Sequence, residues 1–170
     1  DTANSYLKDG LLREAAHEYQ KVIAIDPSNT LALKNLGIVL VKLGSYQKSI
    51  PFFKKSLANL SSDFSANFFL AEAYRGFNQF EKSIYFYKKS LEITPQEPRA
   101  LKALAWSYFQ IRYYQAALTY SNKLLKVSEK NPGGYIIKAK ILNKLQKPMK
   151  AIQVIKKGLT LQQDYYHPYL

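Results

Sequence analysis

The chain has 170 residues, no cysteine and a formal charge of +13, with an isoelectric point near 9.7. Disulfides, thiolate metal sites and thiol nucleophiles are excluded, and the ordinary apolar share suits a folded domain or a short array of units rather than a disordered tail. Lysine outnumbers arginine, so the field favours acidic partners by diffuse attraction rather than by bidentate reading.

In chain order, residues 1–29 open partway through a helix, turn at Gly10, and continue in a second helix marked by Ala15 and Tyr19 that Asp26-Pro27 closes. Residues 30–63 repeat the pattern with Leu36-Gly37, a turn at Gly44, Ser49, Phe53 and Ser61. Pro51 falls within the predicted second helix of this unit, from about Tyr46 to Asn59, and predicts a kink or a lost hydrogen bond there. Residues 64–97 give the clearest copy, with Leu70, Ala71 and Tyr74, an interruption at Asn78, then Ser83, Ile84, Tyr87 and Leu91, ending at Pro95. Such spacing predicts two amphipathic helices joined by a short polar turn. Residues 98–131 carry Leu104-Ala105, Ala117, Ser121 and Glu129; residues 132–165 carry Lys138-Ala139, Ala151, Ile155 and Gln163. Pro98, Pro132 and Pro148 stand at helix starts, where a missing N–H does no harm. Residues 166–170, with Tyr166 and Tyr169, read as the opening of a sixth copy or a tail.

Five copies are thus in register without an insertion, at the one fixed interval that separates Leu36 from Leu70 and Leu70 from Leu104. A small residue on each helix lets the pair approach closely, and large residues fill the space to the next pair, so no copy buries its face alone. This pattern resembles the tetratricopeptide repeat (TPR) family, whose signature is a helix-turn-helix of that length. The best matches are Leu70, Ala71, Tyr74, Ser83, Tyr87 and Pro95, with Ala15, Tyr19 and Pro27. Leu40 and Leu142 replace the usual tyrosine, Ser121 the large residue and Lys138 the leucine, which makes the fifth copy the weakest. The resemblance implies an all-α fold: one right-handed superhelical solenoid of antiparallel helix pairs over residues 1–170.

Nothing points to catalysis or to a cofactor. His17 and His167 are far apart in register and have no cysteine or paired acid at ligand spacing, and no phosphate loop, nucleophile elbow or HExxH motif occurs. Pairs such as Glu14/Glu18 and Glu92/Glu97 read as solvated surface residues rather than an acid–base dyad. The chain is therefore expected not to be an enzyme and to need no cofactor or metal.

In the resembling family, first helices line the concave face. By register this assigns Asn4, Lys8, Lys34, Asn35, Ile38, Lys42, Phe68, Phe69, Arg75, Arg99, Lys102, Trp106, Phe109 and Lys140 to a peptide-binding groove. Aromatic rings offered to a cleft are frequent binding anchors, and a cationic rim steers acidic segments inward. Glu72 is the acid in mid-groove and is expected to pair with Arg75 three residues on. The expected function is a protein-interaction scaffold that binds a partner segment with an apolar anchor and acidic flanks. The same rings read equally well, one by one, as packing between helices, and surface lysines as solubilising groups. A chaperone-tail clamp is not expected: Asn4 and Asn35 fit its asparagine positions, but Ser65 and Phe69 stand where its cations belong.

Two alternatives come from other classes: charge-driven attachment to nucleic acid or a membrane surface, and self-assembly through uncapped ends. Nucleic acid is the weaker partner, since most tyrosines hold packing positions in the repeat, and any membrane contact is peripheral because no apolar run reaches the ~18 residues of a span. No leader-like series opens the given sequence, and a cytoplasmic setting is the expectation. A start in mid-repeat leaves a longer periplasmic or membrane-tethered parent open. Richness in Lys, Asn, Ile and Tyr suggests an AT-rich, bacterial genome.

Overall fold

The computed structural model describes residues 2–166. Among them are ten helices and no strands: α1 (Thr2–Lys8), α2 (Leu12–Ile25), α3 (Thr30–Lys42), α4 (Tyr46–Asn59), α5 (Phe64–Gly76), α6 (Phe80–Ile93), α7 (Pro98–Gln110), α8 (Tyr114–Val127), α9 (Pro132–Lys144) and α10 (Pro148–Tyr166). The first helices α3, α5, α7 and α9 begin at residues 30, 64, 98 and 132. The second helices α2, α4, α6, α8 and α10 begin at 12, 46, 80, 114 and 148. Asp1, His167 and the expected sixth-copy aromatic Tyr169 lie outside the described residues.

Helix starts are set by a capping residue one step before each first helix. The side chains of Asn29, Asp63 and Asn131 accept from the N–H groups of Ala32, Ala66 and Gly134 at 3.0, 2.8 and 3.0 Å, and Glu97 accepts from Arg99 at 3.2 Å. Each satisfies a helix donor that would otherwise lack a partner. Pro98 and Pro132 follow as the first helical residue, as expected. First helices end in a doubly hydrogen-bonded left-handed turn. Gly10, Gly44, Asn78, Arg112 and Gln146, one per repeat, have φ of 77°, 72°, 56°, 63° and 58°. The residue after each donates back to a carbonyl five residues earlier, as from Ser45 to Leu40 and from Gln79 to Tyr74, both 2.8 Å.

α4 runs through Pro51 without interruption; of the two effects expected there, the lost hydrogen bond applies, since the ring has no N–H to offer Gln47. α10 extends to Tyr166.

The helices group into two compact units, Asp1–Thr94 and Pro95–Leu170. In the first unit α1–α2, α3–α4 and α5–α6 pack as pairs, and α2 and α4 also contact the next first helix. Its core holds Ala15, Tyr19, Leu36 and Val39 in one cluster and Phe53, Ala66, Leu70 and Tyr74 in another. The close approach within a pair is visible at Gly37, where an added Cβ would fall 2.8 Å from the buried Phe53 ring. In the second unit α7–α8 and α9–α10 pair, and Ala105, Ala117, Ile137 and Ile141 form a shared core. Ser49, Ser83 and Ser121 hold the small-residue or nearby packing positions of second helices. Each is fully buried and donates its hydroxyl to a carbonyl three residues earlier, at 2.7, 3.0 and 2.9 Å, which satisfies the polar atom in place.

Candidate binding faces on the first helices

In the first unit most of the predicted contact residues are already engaged. The Tyr19 hydroxyl donates to Asn4 Oδ1 at 2.5 Å, and Asn35 Nδ2 donates both to that oxygen at 3.1 Å and to the Tyr19 hydroxyl at 3.2 Å. Burial, only partly offset by the Asn35 contact, raises the Tyr19 pKa, so the phenol keeps the proton it donates. Lys34 Nζ meets Asp63 Oδ2 at 2.7 Å with both side chains largely covered. Asp63 therefore caps α5 with one oxygen and holds α3 with the other. Burial pushes its pKa up, but Lys34 and the capped N–H groups outweigh that and leave it below the usual carboxylate value.

Glu72 pairs with Arg75 as expected, Nη2 to Oε2 at 2.5 Å. Helical spacing held no sign of the third member, Tyr87, whose hydroxyl donates to Glu72 Oε1 and accepts from Arg75 Nε at 3.2 Å. Burial, reinforced by the Glu72 carboxylate, holds the Tyr87 phenol far above its ordinary pKa, so it remains a donor. Phe68 requires a correction. Its side chain is 6 % exposed, packed against Phe64, Phe69 and Tyr87. The register places it on a first helix, but the surrounding rings cover it. Phe69 and Ile38 are half-buried against the Phe53 cluster, and Lys8 and Lys42 are exposed.

The second unit keeps its predicted groups more open. Trp106 and Phe109 stack with centroids 5.5 Å apart, and Lys140 Nζ lies 5.2 Å from the Trp106 ring. Both rings are half-buried with one side on the Ala105–Ile141 core, a fixed apolar body beneath a cation. Lys102 is exposed and runs over the start of α9, where a Cβ on Gly133 would lie 3.1 Å from its Cδ. Arg99 is exposed and reaches Glu97 at 3.7 Å.

Lys102 stands at the register position of Lys34, but the cap it approaches is Asn131, not an aspartate. One exchanged cap residue thus separates a lysine held in an ion pair from a lysine that is not. The recurrence of Asn29, Asp63, Glu97 and Asn131 at the repeat interval was the sequence signal for this, and the consensus positions alone did not reveal it. His17 is exposed. No group of three metal-ligating side chains occurs among the described residues, and no helix there is long and apolar enough to cross a membrane.

Residues 1–63 and 64–97 each match a family model described as Tetratricopeptide repeat. Among solved structures, the chain is similar to a crystal structure of MamA at 18 % identity and a TM-score of 0.92, covering 98 % of this chain and 97 % of that one. It is also similar to MamA from residue 41 to the end from Desulfovibrio magneticus RS-1, at 16 % identity, TM-score 0.90, and 96 % and 92 % coverage. The MamA MSR-1 C2 structure gives 18 %, 0.86, 97 % and 95 %. At such identities the likeness is one of fold, and that fold is an array of antiparallel helix pairs. With matched segments over more than half its length and the same helix pair recurring beyond them, the chain belongs to the tetratricopeptide repeat family of protein-interaction scaffolds.

Proposed function

We propose that the chain binds a partner segment along its first-helix faces, with the principal anchor point in the second unit at Trp106, Phe109 and Lys140. The observation that carries this is the stacked, half-exposed Trp106–Phe109 pair beneath the Lys140 ammonium. Rings seated on a core lose little freedom on binding, and Trp is among the commonest hot-spot residues. Lys102 and Arg99 on the same helix as Trp106 favour a segment with acidic flanks around an apolar anchor. Taken by itself, the first unit offers Lys8, Lys42 and Phe69 on its own first helices, where Asn4, Lys34, Asn35 and Arg75 are held by their neighbours. No catalytic role is proposed.

Panning a random peptide library against the chain tests this. Enriched segments are expected to place an aromatic or aliphatic residue between Asp and Glu, and Trp106→Ala is expected to weaken them about tenfold or more with the melting temperature nearly unchanged. Enrichment without acids, or retention by the Trp106 variant, overturns the reading.

A second reading, self-association, has its own support. An apolar cleft of about 430 Å³ lies on the α9–α10 pair, lined by Ala139, Pro148, Ala151, Ile152 and Ile155 among others. One repeat earlier the matching residues Ala105, Ala117 and Leu118 are covered by α9, so this cleft suits another first helix. Concentration-dependent mass in light scattering that Ile152→Glu abolishes would support it.

A further inference from the structure

The fifth repeat departs from its predecessors at two neighbouring positions. Where earlier repeats fully bury Leu36, Leu70 and Leu104, it carries Lys138. Where they carry Phe52, Phe86 and Tyr120, it carries Val154. In the third and fourth repeats that ring stacks on Tyr74 or Tyr108 at 5.6 Å; in the fifth the pair has become Leu142 and Val154. The loss of both rings accompanies a cleft of about 440 Å³ between α8, α9 and α10, walled by Leu118, Leu125, Leu142 and Val154. That volume lies within the range of small-molecule sites.

Charge marks the same cleft. Lys138, Lys150 and Lys157 line it, together with one acid, Glu129. Lys157 is paired with Glu129 at 3.1 Å, and among the described residues no carboxylate pairs with Lys138 or Lys150. Burial, together with the Lys157 charge, holds the Lys138 pKa below that of an ordinary lysine. A half-buried ammonium on an apolar wall is disfavoured until an anion meets it.

We propose that this cleft binds a small organic anion with a flat ring, of the aryl carboxylate class. The ring takes the place that Phe86 and Tyr120 hold in the preceding repeats, and the carboxylate meets Lys138 and Lys150. Asn122 and Gln153 on the rim supply amide groups to orient it. The site shares no residue with the Trp106 face, so it stands or falls separately from partner binding.

Titration of 2-naphthoate into methyl-labelled protein, followed by NMR, tests the assignment against the uncharged 2-naphthamide. Naphthoate is expected to shift the Leu118, Leu125, Leu142 and Val154 methyls saturably and to bind about tenfold or more tightly than the amide. Lys138→Leu removes the charge and Val154→Tyr fills the cleft, so each should weaken naphthoate by a similar factor while helicity is retained. Should Lys138→Leu fail to fold, Val154→Tyr carries the test alone. Equal binding of acid and amide, shifts confined to other methyls, or undiminished binding by Val154→Tyr overturns the proposal. So does binding confined to acidic peptides.

Discussion

The two units build their first helices on one register and use it differently. In the first, Lys34 is held by Asp63, Arg75 by Glu72 and Tyr87, and Asn4 and Asn35 by Tyr19. In the second, Lys102 and Lys140 stand exposed beside Trp106 and Phe109. Register decides which face a side chain occupies. The neighbours three or four residues along, or one repeat away, decide whether it is available to a partner. A polar residue on a binding face is therefore as often a strut as a contact, and only its partners distinguish the two.

The largest expected effect lies at the struts. Asp63→Ala removes the α5 cap and leaves Lys34 largely covered without its partner, and should lower stability by about 2–3 kcal/mol. Asn131→Ala, at the matching cap of the second unit, should lower it by about 1 kcal/mol. Urea denaturation of the two variants checks this, and equal losses would break the contrast between the units. Acid sharpens the same point. Because folding lowers the Asp63 pKa below its ordinary 3.8, the unfolded chain takes up that proton first. The stability Asp63 contributes is present above the ordinary value and lost as pH falls through the lower, folded one. Denaturation midpoints of wild type and Asp63→Asn should therefore converge below pH 3.8.

Next in size, Lys138→Leu restores the residue that earlier repeats bury, and should stabilise the protein by about 1 kcal/mol. A loss of stability would mean that the lysine is better accommodated than its surroundings imply. The smallest effect is expected for Asn131→Asp, which gives Lys102 the carboxylate that Lys34 has. A gain of about 0.5 kcal/mol is expected, together with weaker capture of acidic peptides, measured by thermal melts and by binding to the enriched segments. Unchanged capture would show that Lys102 is not part of the face.

Much of the fold was readable from spacing alone, because the small residues, turns and prolines recur at one interval and each has one physical role. Gly10, Gly44 and Asn78 announced their turns; Arg112 and Gln146 did not, since a left-handed residue is legible by type only when it is glycine or asparagine. The candidate site was legible in position but not in state. Phe68 and Phe69 are adjacent in sequence on the same helix, yet Phe68 is enclosed by three other rings. The Lys34–Asp63 pair joins residues from neighbouring repeats through side-chain reach, which helical periodicity does not encode. Glu72–Arg75, a local pair three residues apart, could be foreseen for the same reason that the long-range one could not.

The five left-handed turns share a pattern of paired backbone hydrogen bonds, whichever side chain sits at the centre. Each hairpin of rods is consequently braced by its main chain, and exchanging the residue at the bend leaves that brace in place. Within each unit, compliance under a pulling or twisting load should then reside between one hairpin and the next, where packed side chains and short linker turns provide the grip.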